Sequence, residues 1–151
     1  MVTMSTVFEK IISGEFPGRF VWADDVCVAF STIEPIAPGH VLVVPRHPWA
    51  AWTDAPQEVA THLMAVAHTI GLAQEQAFDA PRAGLIIAGF EVPHTHLHVI
   101  PMHSEADVAF VNAHSVPEEE LDRTATLLRE ALVASGHGAN VPAEVDSPTL
   151  A

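Results

Sequence analysis

Apolar residues along the chain switch repeatedly between helical and alternating spacing, and each switch marks an element. Ser5-Thr6-Val7-Phe8-Glu9-Lys10-Ile11-Ile12-Ser13 places Phe8, Ile11 and Ile12 on one side of a short helix, with Ser5 as its cap and Gly14 as its stop. Two β-prone runs follow, Arg19–Ala23 and Val26–Phe30, and the acidic pair Asp24-Asp25 between them reads as a hairpin turn. Ser31 to Pro38 is a loop that delivers the chain to Gly39-His40-Val41-Leu42-Val43-Val44-Pro45, a run so continuously apolar that it predicts a central strand. From Pro56 to Ala77 the spacing is helical. Val59, Leu63, Val66 and Ile70 fall near one face, Asp54 stands as the cap, and His62 and His68 are read as helix-surface or boundary residues.

Gly84–Ala88 predicts a fourth strand, and Gly89-Phe90-Glu91-Val92-Pro93 connects it to a fifth that ends at Pro101. Met102 to Val116 is irregular. Pro117 and Glu118-Glu119-Glu120 then open a helix through Leu121, Leu127, Leu128 and Leu132 to Gly136, its early acids suiting the N-terminal dipole. The sum is an α+β domain over residues 1–135: about five mainly antiparallel strands, one long inserted helix and a C-terminal helix. Residues 136–151 form a tail that is mobile or draped on the surface.

Charge narrows the partners. With 19 acidic and 6 basic residues the formal charge is -13, which disfavours nucleic acid and anionic membranes. Cys27 is the single cysteine and sits in an apolar run, so it reads as a small core residue. Glu9 and Lys10 lie where a secretory signal would be apolar, and no apolar stretch is long enough to span a bilayer, so a cytoplasmic protein is expected.

The fifth strand carries the candidate chemistry, in His94-Thr95-His96-Leu97-His98-Val99-Ile100-Pro101. In an extended strand, residues two apart share a face at about 6.6 Å spacing, so three imidazoles would line one surface while Leu97 and Val99 turn to the other. Three uses compete for such a face. The rings are ordinary half-exposed strand residues, or ligands for a divalent ion, or a nucleophile with helpers for phosphoryl chemistry.

These residues resemble the histidine triad family of nucleotide hydrolases and transferases, whose signature is His-x-His-x-His followed by two apolar residues. His94, His96, His98, Val99 and Ile100 fill it. The resemblance runs over residues 5–105, through Phe8–Pro17, Ala29–His40 and Val43–His47. It implies a covalent nucleotidyl-imidazole on His96, with His94, His98 and His40 donating to phosphate oxygens and the leaving group. It implies a homodimer joined sheet edge to sheet edge at Gly84–Ala88, and a substrate that is a nucleoside phosphoramidate or a (di)nucleoside polyphosphate. Ile33, Thr32, Phe90 and Glu91 would meet that substrate. Two other uses stay open: a nucleotide or phosphometabolite binding module with weakened catalysis, and a metal-dependent hydrolase.

The chain departs from the family pattern at the nucleotide clamp. Thr32 stands where an aspartate often holds the ribose, Ala88 near the position of an asparagine, Gly89-Phe90 at that of a Gly-Gln pair, and Glu91 near that of a hydroxyl. It departs again at a structural zinc that some bacterial members hold with two cysteines and two histidines. Thr6 and Glu9 replace the cysteines, leaving His47 and His94, so no cofactor is expected and zinc is disfavoured.

Overall fold

The computed structural model describes residues 4–151. Its first helix, α1 (Val7–Ser13), starts one residue later than the Ser5 cap predicts. Thr6 is the cap because Glu9 lies three residues beyond it. The Glu9 N–H donates to Thr6 Oγ1 (3.1 Å) and the Thr6 N–H to Glu9 Oε1 (3.0 Å), closing a capping box. Gly14, at φ 88, ends the helix as expected.

Five strands follow: β1 (Phe20–Ala23), β2 (Cys27–Ser31), β3 (Val41–Pro45), β4 (Arg82–Ile86) and β5 (Leu97–Met102). They form one antiparallel sheet in the order β1-β2-β3-β5-β4. β4 lies two residues earlier than Gly84–Ala88, because its partner β5 begins only at Leu97 and pairs Ile86 with His98. Ile87 and Ala88 have no ladder left. Pro101 does not end β5. β3 pairs with β5 only from Leu97 to Val99, so no third strand asks Pro101 for a donor.

Two long helices, α2 (Gln57–Ala77) and α3 (Glu118–Leu132), cover one face of the sheet. Val41, Val43, Leu97 and Val99 meet Leu63, Val66, Ile70 and Leu128 there, in the larger of two apolar clusters. Pro56, not Asp54, precedes α2, while Asp54 accepts from the Ala51 N–H at 3.3 Å in the turn before it. The opposite face packs Phe30, Leu42 and Val44 against Phe8 of α1. β3 therefore alternates between two cores, which is why its sequence shows no polar positions.

The two edges of the sheet are treated differently. After α3 a wider turn, Val133–His137, reverses at Gly136 (φ 95), short of the continuous helix expected to reach that glycine. The last residues then run along β1. The Phe20 N–H donates to the Val145 carbonyl (2.7 Å), and Arg129 donates to the carbonyls of Phe20 and Pro142 (2.7 Å each). Among the described residues no segment runs along β4 in the same way. Among the described residues no helix is long and apolar enough to cross a membrane.

Candidate active site

The histidine run is half strand and half turn. β5 starts at Leu97, so His98 lies in it while His94, Thr95 and His96 precede it as the chain bends in from the connector. The predicted face survives for His96 and His98, whose rings are 4.8 Å apart opposite the side taken by Leu97 and Val99. His40, at the entrance to β3, completes the group, its ring 5.2 Å from that of His98.

His94 is not with them. It is wholly buried, with Nε2 2.7 Å from the Pro45 carbonyl and Nδ1 2.7 Å from Thr6 Oγ1. The expectation that it donates to phosphate oxygens fails in this geometry, because both of its nitrogens are engaged away from the cleft. Its main chain matters instead, since the His94 carbonyl lies 2.7 Å from His96 Nδ1.

Hydrogen bonds fix the tautomers one after another. A carbonyl can only accept, so His96 carries its proton on Nδ1 and has a free lone pair on Nε2. By the same rule His94 is protonated on Nε2, and its Nδ1 accepts from the Thr6 hydroxyl. The Ile36 N–H donates to His40 Nδ1 (3.0 Å), so the proton of neutral His40 is on Nε2, which donates to His98 Nδ1 (3.0 Å). His98 is then left with an N–H at Nε2. One imidazole thus offers a lone pair beside another that offers a donor.

Burial keeps these rings neutral. Desolvation, with smaller repulsion from His98 and His96, lowers His40 to about 3; desolvation and His96 lower His98 to about 4. His94 and His96 are also lowered, chiefly by desolvation, with their backbone acceptors opposing it. A neutral ring is the form that can attack phosphorus.

The cleft holds about 480 Å³, and His40, His96 and His98 form its floor. Thr32, Phe90 and Glu91 line it as expected for contact residues, Phe90 with 96% of its surface exposed. Ile33 does not line it. It is 70% exposed because alternate residues of the loop, Thr32 and Glu34, turn inward. Sequence reasoning missed Glu34, although its two-residue offset from Thr32 was a signal. It also missed Phe110, whose ring stands 5.0 Å from that of His98. Among the described residues no lysine or arginine lines the cleft, and two carboxylates, Glu34 and Glu91, do.

The model of the HIT domain matches residues 13–105. The chain belongs to the histidine triad (HIT) family. A HIT-like protein of Methanocaldococcus jannaschii is 33% identical over 120 residues, covering 77% of this chain and 92% of that one. The adenosine 5'-monophosphoramidase of Saccharomyces cerevisiae is 31% identical over 127 residues, covering 83% and 80%. Among solved structures, a zinc-bound HIT family protein from Mycobacterium smegmatis has 29% identity and a TM-score of 0.77, covering 89% of this chain and 98% of its own. The HIT fold is therefore shared over nearly the whole chain.

The zinc set of other HIT members does not fit here. His94 spends Nδ1 on the Thr6 hydroxyl, Glu9 accepts from the Thr6 N–H, and the His47 ring packs on Trp49 at 4.3 Å. A hydroxyl and a capping carboxylate are poor substitutes for two thiolates. Nor do the triad nitrogens converge as ligands, since His40 and His98 bond to each other. Among the described residues, ligand atoms gather at Asp24, Cys27 and His62, within 4.8 Å of one another. Asp24 already accepts from the N–H groups of Val26 and Cys27, from Trp22 Nε1 and from His62 Nε2, at 2.7–2.9 Å. His62, half-buried at the boundary of α2, ties that helix to the first hairpin.

Proposed function

We propose that this chain cleaves or transfers a nucleoside monophosphate through a covalent adduct on His96. The observation that carries the reading is the His96 ring, 6% exposed, its Nδ1 on the His94 carbonyl and its Nε2, on the floor of the cleft, without a hydrogen-bond partner among the described residues. In the first step Nε2 attacks phosphorus and the bond to the leaving group breaks, the leaving atom departing with a proton from solvent. Water then adds to phosphorus, returns a proton to solvent and releases Nε2. His98 Nε2–H is the donor placed to meet a phosphate oxygen, and His40 fixes its tautomer. A preorganised donor of this kind contributes about 2.7–4 kcal/mol to barrier lowering.

Charge supports a choice of substrate. Glu34 and Glu91 line the cleft and no fixed cation does. Each additional phosphate charge about 8 Å from one of them costs about 0.5 kcal/mol in a water-like medium and about 2 kcal/mol at an effective dielectric of 20. A nucleoside phosphoramidate, with one charge on phosphorus and a neutral or cationic leaving group, suits the cleft better than a polyphosphate. The yeast relative named as a phosphoramidase accords with that preference.

The working unit is proposed to be a homodimer. β4 is an open sheet edge, and Met64, Leu72 and Leu85 beside it are exposed apolar residues, as a second copy pairing edge to edge would require.

Adenosine phosphoramidate and diadenosine polyphosphate should be offered to the purified chain and to His96→Ala. Faster turnover of the phosphoramidate and an adduct mass on quenching, both lost in the variant, are expected. Equal turnover by the variant would end the reading. Thr32 in place of an acidic ribose acceptor favours a second one, a nucleotide-binding module, which tight binding without turnover or adduct would select.

A further inference from the structure

Gln74 lies in α2 on the stripe of Leu63, Val66, Ala67 and Ile70 that faces the sheet, a position where helical spacing calls for an apolar side chain. It is fully buried. Its Nε2 donates to the Gly39 carbonyl and to the Val99 carbonyl, both at 2.8 Å. Because both neighbours are acceptors, the amide has one possible orientation. Its Oε1 is left as a buried side-chain oxygen without a hydrogen-bond partner. An aliphatic side chain would fill this space without orphaning an oxygen, so packing does not explain the amide.

The two carbonyls do. Gly39 precedes His40 and Val99 follows His98. The β3–β5 ladder ends at the pair Val41–Val99, so beyond it no main-chain donor ties the entrance of β3 to β5. Gln74 donates to one carbonyl on each side of that point, Gly39 at the entrance of β3 and Val99 in β5. Phe78, the residue that caps the end of α2, holds Gly39 from a second side, for the φ of Gly39 is 89 and a Cβ there would run into the Phe78 ring. On the other side of this junction, His40 Nε2 reaches His98 Nδ1 across 3.0 Å, and no other side-chain hydrogen bond of His40 joins it to β5.

We infer that Gln74 is a positioning residue: its amide locks the main chain beside His40 to the main chain beside His98, and so holds the imidazole–imidazole bond that aims the donor nitrogen of His98 into the cleft. Gln74 touches neither the cleft nor any group that would react. The inference rests on the proposed function only for its kinetic consequence, because the bond between the two rings exists without substrate.

The test uses full-length Gln74→Met, which keeps the length of the side chain and removes both donors. Gln74→Glu keeps at most one donor, when its carboxyl is neutral. Leu63→Ala, on the same stripe and away from both histidines, controls for loss of stability. The ring nitrogen resonances of His40 and His98 are recorded without ligand, and steady-state kinetics with adenosine phosphoramidate follow. In Gln74→Met the two rings are expected to lose the donor–acceptor signature while Leu63→Ala keeps it. The value of kcat should fall by about 10- to 100-fold with KM unchanged. If Gln74→Met does not fold, Gln74→Glu carries the same comparison. Unaltered ring resonances in the Gln74 variant, or the same alteration in Leu63→Ala, would overturn the inference. Altered resonances in a protein whose wild type has no turnover would leave the inference standing and remove the proposed function instead.

Discussion

Thr6→Val should damage the site from outside the cleft. The substitution is nearly isosteric and removes one oxygen with two duties: accepting the Glu9 N–H as helix cap, and donating to His94 Nδ1 at 2.7 Å. Loss of a threonine cap costs about 0.5–2 kcal/mol. His94 is wholly buried, so its orphaned nitrogen costs about 1–3 kcal/mol more. The sum, about 1.5–5 kcal/mol, does not exceed the stability of an ordinary domain. Urea unfolding should show a lower midpoint with an unchanged slope, and Thr6→Ser should restore it. Glu9→Ala, which breaks only the reciprocal arm of the capping box, separates the cap from the His94 bond. Because the His94 carbonyl holds His96 Nδ1, adduct formation should slow in Thr6→Val while substrate binding persists. A Thr6→Val protein no less stable than Glu9→Ala, with wild-type adduct formation, would refute the connection from helix cap to triad.

His40 and His98 sit near 3 and 4 when folded and near 6.5 when unfolded, so the unfolded chain binds more protons in between. Stability is then complete above pH 6.5 and falls as pH drops, by about 1.5 kcal/mol for His40 between pH 6.5 and 5 and by less for the more exposed His98; urea midpoints should fall less steeply across that range in His98→Asn. Glu91→Gln should raise kcat/KM for diadenosine polyphosphate relative to adenosine phosphoramidate by about 2- to 30-fold, as the charge estimate implies, and an unchanged ratio would remove Glu91 from substrate choice. Leu85→Lys on the open edge should give a monomer mass by light scattering with the far-ultraviolet spectrum intact, whereas a monomeric wild type would refute the dimer.

What sequence could show was set by how local each cause is. The alternation in His96-Leu97-His98-Val99 reports a two-sided sheet directly, and the continuous run Val41–Val44 reports a strand between two cores. The inward turn of His94 has no local signal, for it is created by Thr6 and the Pro45 carbonyl, 88 and 49 residues away. The strand shift at β4 is of the same kind, being imposed by where β5 begins. Glu34 and Gln74 were legible in principle: one shares the parity of Thr32 in its loop, the other is a polar residue on an apolar stripe.

The neutral rings also bear on how phosphate would be held. A site with lysine or arginine meets phosphate with full charges, whose attraction grows with every phosphate added. This cleft offers one imidazole N–H, that of His98 Nε2, on a ring that burial keeps uncharged, with Glu34 and Glu91 among its lining residues. A dipole fixed through Ile36 and His40 can be complementary to charge that shifts onto an oxygen at one phosphorus. It gives little to a second or third phosphate further out. In the proposed reaction, selectivity for a singly charged substrate and reliance on tautomer control therefore have one origin, the absence of a cation from the cleft. Introducing one, as Thr32→Lys, should weaken the preference for phosphoramidate over polyphosphate while leaving adduct formation on His96 intact, as competition between the two substrates would report.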